Sequence, residues 1–305
     1  MSKPISHHYL PRGILKSFCY GKKEKLFFYS KDNGMGEHPS GLRGLACINK
    51  FYDYKGQNKS LEVDLFNKID SDAAIIVRKI LLSERLPILD AVEMEGIAIY
   101  VASQICRVPY VLDALKRLAE GFVDDVSSDF KIFDGDVKSF FLEHVKPSSE
   151  LYKEILLKKR MTVFRSDDDR FIIGDNPVVF FDHGNVVVRD KYSSAISAKV
   201  FMLPISPSSV LVFYDEDAYG NLQVYLSQCN RWQFINAVDK VFSGSEALLL
   251  AGEKQYYKDA YEYVVGIDPG YVKHYGIVKG DRIRVALPRI AFKGEARNVL
   301  RDMIR

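Results

Sequence analysis

The sequence predicts an α+β protein: a helical central portion packed on a mostly antiparallel C-terminal sheet, with an ordered N-terminal segment threaded between them. Three observations carry this expectation. From Ser60 to Lys159 apolar residues recur at helical spacing. After Arg160 the chain switches to short β-branched or aromatic runs separated by turn residues. The front of the chain, Ser6 to Phe18, places two histidines, a proline and an arginine within the six positions from His7 to Arg12, an unusual composition for a terminus.

Glu24 to Lys31 reads as an aromatic strand, the glycine-rich stretch to Gly44 as loop, and Ala46 to Tyr54 as a second strand. From Ser60 to Glu84, Leu61, Leu65, Ile69, Ala73, Ile76 and Ile80 define one core stripe, with Ser60 as its N-cap. Asp90 caps the next helix, which runs to about Val108 and is apolar all round between Ile97 and Ala102, the mark of a helix buried on most sides. Pro109 kinks or restarts it, and Tyr110 to Gly121 continues as an amphipathic helix closed by Gly121. Asp136 to Val145 and Ser149 to Lys159 read as two further helices separated by Pro147. Strands are expected at Met161–Arg165, Phe171–Phe181, Asn185–Arg189, Ala198–Leu203 and Ser209–Asp215, with Asp167-Asp168-Asp169 a solvated turn. Gln223 to Ala251 returns to helix with Trp232 facing inward; a strand around Asp281 to Val285 and a basic helix close the chain.

Composition narrows the function classes. A hydrophobic fraction of 47% and a charged fraction of 27% over 305 residues describe a globular chain able to bury a large core. The start lacks the apolar stretch of a signal peptide. The longest apolar run, Ile97 to Cys106, is interrupted by Ser103 and Gln104 and falls short of the roughly 20 residues of a membrane span, so a cytoplasmic protein without membrane contact is expected. Four scattered cysteines, Cys19, Cys47, Cys106 and Cys229, show no metal or disulfide spacing. From Lys273 to Arg305 nine basic residues face three acids, so this tail carries +6 of a net +3 and the rest of the chain is acidic. The organisation expected is a core over residues 1–250, helix-rich to 160 and strand-rich from 161 to 250, followed by a basic extension over 251–305. Arg297, Arg301 and Arg305 fall on one helical stripe and, with Arg282, Arg284 and Arg289, are either a footprint for a nucleic-acid backbone or a solvated charged face.

Six ordered motifs stand out: His7-His8-Tyr9-Leu10-Pro11-Arg12, Leu61-Glu62, Ile69-Asp70, Gln104-Ile105-Cys106-Arg107-Val108-Pro109, Gly174-Asp175-Asn176-Pro177 and Leu203-Pro204-Ile205-Ser206-Pro207. Together, over about residues 6 to 250, they resemble the bacterial family catalogued as domain of unknown function 4238. Gly174 stands where that family usually has serine, and Asp70 where it usually has glutamate. The resemblance implies which residues matter and brings no activity with it.

Adjacent histidines point to opposite faces of a strand, so at most one of His7 and His8 serves a site, as general base or metal ligand; the other packs. Arg12, stiffened by Pro11, suits a phosphate or carboxylate, or an ion pair with Glu62, Asp70 or Asp175. Gln104 and Arg107 share one face of an apolar helix, so both are bonded internally or line a cavity. Asp175 and Asn176 make either a structural turn or a carboxylate presented opposite His8 and Arg12. Glu62, Asp70 and Asp175 are the candidate oxygen ligands of a Mg²⁺ ion. The catalytic candidates are thus His7, His8, Arg12, Gln104, Arg107, Asp175 and Asn176. No phosphate loop, nucleophile elbow, zinc-protease or dinucleotide fingerprint occurs, which argues against ATPase, serine hydrolase, zinc protease and dehydrogenase chemistry. The expected function is phosphodiester cleavage of a nuclease-like kind, in phage defence or as a toxin effector by analogy with comparable bacterial families; the alternative is a non-catalytic module for a small anion, nucleic acid or protein.

Overall fold

Helices and two antiparallel four-stranded sheets build the fold in the computed structural model, which describes residues 5–31, 33–38, 42, 44–113, 115–116, 137–181, 198–253, 255, 277–279 and 282–284. The chain enters as β1 (Ser6–His8), and Pro11 introduces α1 (Arg12–Ser17). The aromatic strand β2 (Leu26–Ser30) turns at Gly34, φ +80°, into β3 (Gly34–His38). The stretch expected as loop therefore begins as a strand. Gly36 lies opposite Phe28, whose ring occupies the place of a side chain there, so the glycines cost this strand less than composition suggests. The second expected strand shrinks to β4 (Cys47–Asn49), which pairs with β1 so that His8 faces Cys47.

The first long helix opens with a π-helical turn, Glu62–Phe66, and continues as α2 (Asn67–Leu82). Ser60 does not cap it: its hydroxyl is buried without a partner, and the wide turn starts from Leu61. The core stripe is as the periodicity requires, with Ile69, Ala73, Ile76 and Ile80 buried. Asp90 and Glu93 form a reciprocal capping box (2.8 and 3.0 Å) at the start of α3 (Ala91–Cys106). This helix packs between α2 and α4 (Val137–Leu157), and helix restarts at Pro109, where a missing N–H costs nothing. Pro147 does not divide α4, contrary to expectation. It lies on the exposed side of the helix with Glu143.

The strand Phe171–Phe181 is split by Asp175-Asn176-Pro177 into β6 (Ile173–Gly174) and β7 (Val179–Phe181), which belong to different sheets. With β5 (Arg160–Arg165), β8 (Val200–Ser206) and β9 (Ser209–Tyr214), β7 forms the order β5-β9-β8-β7. Pro204 sits inside β8 next to a register shift, the place where a strand tolerates proline. Both faces of β8 and β9 are buried. Phe201, Leu203, Leu211 and Phe213 join the main core with the helices and the N-terminal Tyr9, Leu10 and Ile14. Val200, Met202, Val210 and Val212 pack with Trp232 and Ile235 on the other side. Period-two alternation divides these strands between two cores.

The single helix expected from Gln223 to Ala251 is interrupted. A 3-10 turn (Glu216–Asn221) leads into α5 (Leu222–Ser227), α6 (Cys229–Asn236), strand β10 (Lys240–Ser243) and helix over 246–253. Pairing of β10 with β2 on one side and β6 on the other, in the order β3-β2-β10-β6, overrides its local helical pattern. β11 (Ile277–Lys279) and β12 (Arg282–Arg284) form a hairpin near the strand expected at Asp281–Val285. The strand Asn185–Arg189, the Gly121 cap, Arg289 and the basic helix with Arg297, Arg301 and Arg305 lie outside the described residues. Among those described, no helix is long and apolar enough to cross a membrane.

Candidate functional site

A cleft of about 560 Å³ runs between α1 and α2. His8, Arg12, Glu62, Asp70 and Tyr100 line it together, from three separate stretches of sequence. His7 is not among them. In β1 the two histidines take opposite faces: His7 is fully buried, stacked on Tyr52, and its Nδ1 accepts the Tyr52 backbone N–H at 2.9 Å. That bond places the ring proton on Nε2, which faces Asp53 Oδ1 at 3.6 Å. His7 is a structural anchor.

His8 presents a ring whose Nε2 is enclosed and has no partner among the described residues. Burial, then the positive charges of Arg12 and Arg107, push its pKa down to about 4, so the imidazole is neutral at pH 7. Glu62 is its counterpart. The π turn directs Glu62 inward, where it is 8% exposed, and its carboxylate accepts the backbone N–H of His8. Burial raises its pKa to about 7, with Arg107 opposing and Asp70 reinforcing the shift. Its Oε2 is buried without a partner.

Beneath the cleft lies Arg107, 0% exposed, at the C-terminus of α3 where the helix dipole favours a cation. Its Nη2 donates to Asp70 Oδ1 at 2.8 Å, and its guanidinium lies 4.7 Å from the Phe66 ring centroid. With the amide oxygen of Gln104 turned inward, Gln104 accepts from Arg107 Nε at 2.7 Å and Nη2 at 2.5 Å. The Arg107 carbonyl accepts from Tyr52 Oη at 2.7 Å. Burial disfavours the charged guanidinium, and Asp70 more than offsets this. One donor, Nη1, is left over. Arg107 and Gln104 therefore set the field and shape of the floor and do not line the cleft. Arg12 pairs with none of the three expected acids; it stands at the mouth.

Asp175 and Asn176 do not line the cleft. The Asp175 carboxylate accepts the backbone N–H groups of Val238 (2.6 Å), Asp239 (2.8 Å) and Lys240 (2.9 Å). Asn176 Nδ2 donates to the Asn236 carbonyl at 3.2 Å. The turn clips the α6–β10 link in place. Gly174 fits the same clip, because a Cβ there would stand 2.7 Å from the Gln233 carbonyl oxygen. With Asp175 committed to amides and Asp70 to Arg107, the expected Mg²⁺ ligand set Glu62, Asp70 and Asp175 does not assemble, and no three His, Cys, Asp or Glu gather at metal-binding separation among the described residues.

Sequence reasoning did not single out Tyr52, or Asn67, Ser71 and Ala74 on the cleft side of α2. The α2 residues had a signal: with Asp70, Val77 and Leu81 they recur at helical spacing as a second stripe beside the core stripe. Tyr52 had none, because its role comes from a partner 55 residues away.

The family model described as "Protein of unknown function (DUF4238)" matches residues 6–247. No curated protein and no solved structure matches the chain.

Proposed function

Because the chain belongs to the DUF4238 family of proteins of unknown function, kinship supplies no activity, and we propose from the cleft that it is a phosphodiester-cleaving enzyme working by general acid–base catalysis. One observation carries this reading. A neutral His8 and a carboxyl of pKa about 7 at Glu62 share one cleft, driven to opposite protonation preferences by their surroundings. At neutral pH His8 Nε2 can take the proton of an attacking water while protonated Glu62 gives its own to the departing alkoxide. Solvent then carries the proton from His8 back to Glu62. Arg12 at the mouth and Arg107 below place positive charge where a phosphorane would gain negative charge. An anion between them cancels the repulsion that depresses His8, and so makes it a better base when substrate is bound. No step needs the acidic trio.

Hydrolysis of bis(4-nitrophenyl) phosphate tests this. Wild type is expected to turn it over with chelator present, and His8→Gln and Glu62→Gln to lose 10²- to 10⁴-fold each. Phosphate binding without turnover would favour a non-catalytic anion-binding module, and neither binding nor turnover would remove both readings.

A further inference from the structure

The cleft extends well past His8 and Glu62, and both of its walls carry cations there. On α1 the lining continues from Arg12 to Lys16, and on α2 it continues to Arg78. Lys16 lies one helical turn beyond Arg12, about 6 Å, and from Glu62 to Arg78 the helix rises roughly 20 Å. One phosphate held at His8 and Glu62 is therefore out of reach of Arg78. The acids of the lining do not cancel these cations. Asp70 is committed to Arg107 at 2.8 Å, and burial raises the Glu62 carboxyl to about 7, so it is largely uncharged at or below neutrality. Arg12, Lys16 and Arg78 are all exposed to solvent. Arg12 and Arg78 make no ion pair among the described residues. Lys16 meets Glu24 at 2.7 Å, an exposed pair that salt weakens and an anion can replace. Between the cations the lining is apolar, with Ile14, Ala74 and Val77.

We infer that Lys16 and Arg78 form a second phosphate subsite and that the cleft takes a single strand of nucleic acid. One phosphodiester lies at His8, Arg12 and Glu62, and a phosphate further along the same strand lies at Lys16 and Arg78. This rests on the reading of His8 and Glu62 as a phosphodiester site and adds the polymer that the site serves. Anions separated by less polar surface are the pattern of a nucleic-acid strand, whose nucleosides would cover the aliphatic wall without selection among bases. The cleft is narrow: a Cβ on Gly13 of α1 would lie 3.8 Å from the Ala74 Cβ of α2. At its end His8 Nε2 and Glu62 Oε2 are enclosed. A single strand can bend its backbone in to reach them, whereas a duplex holds both backbones on a stiff cylinder.

The test is fluorescence anisotropy of labelled oligothymidylate and oligouridylate decamers, single-stranded and annealed to their complements. They are titrated with the full chain carrying His8→Gln, which removes the general base and leaves the charge of the cleft at pH 7 unchanged. Three phosphate contacts predict that log K falls against log salt with a slope of about −2 for the single strands. Adding Lys16→Gln and Arg78→Gln, both at exposed positions, is expected to bring the slope to about −0.7 and weaken binding on the order of tenfold at about 0.1 M salt. Lys68→Gln, on α2 but outside the cleft and paired with Asp72, is expected to change neither. Tighter thymidylate identifies DNA and tighter uridylate RNA; both support the inference. Duplexes bound as tightly as single strands, or a slope unmoved by the Lys16 and Arg78 substitutions, overturn it. So does absence of decamer binding while wild type hydrolyses bis(4-nitrophenyl) phosphate, which leaves the phosphodiester site standing. Absence of both binding and hydrolysis removes the site and the inference together.

Discussion

Glu62→Gln should make the protein more stable at alkaline pH. Glu62 titrates at about 7 in the folded chain against an ordinary 4.5, chiefly because burial penalises its charge. Between those values the folded state holds a proton that the unfolded state has released. Stability is therefore fully present below pH 4.5 and is lost as pH rises through 7. Each pKa unit corresponds to about 1.4 kcal/mol, so the ionised carboxylate costs up to ~3 kcal/mol near pH 9. Glutamine keeps a carbonyl oxygen for the His8 backbone N–H and carries no charge. Urea unfolding at about pH 5 and pH 9 should show the variant close to wild type at the first and up to ~3 kcal/mol more stable at the second. A variant less stable than wild type at pH 9, or one whose difference is the same at both pH values, would refute the buried-acid account of Glu62.

His8→Gln should reveal the opposite slope. His8 titrates near 4 against 6.5, so wild type loses stability as pH falls from 6.5 towards 4, and the variant should be less acid-sensitive in the same urea series. Arg107→Met leaves Asp70 without its guanidinium and Gln104 without two donors, and a loss of about 3–5 kcal/mol is expected by denaturant melt. Asp175→Asn gives three amides one neutral acceptor in place of a carboxylate and should cost about 1–3 kcal/mol, with kcat per folded molecule unchanged.

Where local chemistry decided the structure, the sequence disclosed it. The Asp90 cap, the α2 core stripe and the strands β8 and β9 follow from local pattern alone. Pairing partners decided the rest. Residues 240–243 read as helix until β2 and β6 flank them, and Gly34 to His38 reads as loop until Phe28 covers Gly36. The candidate site shows the same division. Strand alternation assigns His7 and His8 to opposite faces, but nothing in the order of residues distinguishes the cleft side from the buried side. Gln104 and Arg107 announce themselves as polar groups in an apolar helix, yet only the fold shows that they serve Asp70 from below. A carboxylate before Asn-Pro fits a catalytic position and a turn equally, and it was the three amides of residues 238–240 that took it.

The central claim is that the cleft is a phosphate site in which burial, reinforced by the charges of Arg12 and Arg107, holds His8 neutral until an anion arrives. Following the His8 ring proton by NMR against pH, with and without inorganic phosphate, tests it most directly. The account predicts titration near 4 in the free protein and a rise towards the ordinary 6.5 when phosphate binds. A His8 that already titrates near 6.5 without phosphate, or one that phosphate leaves unmoved, would contradict it.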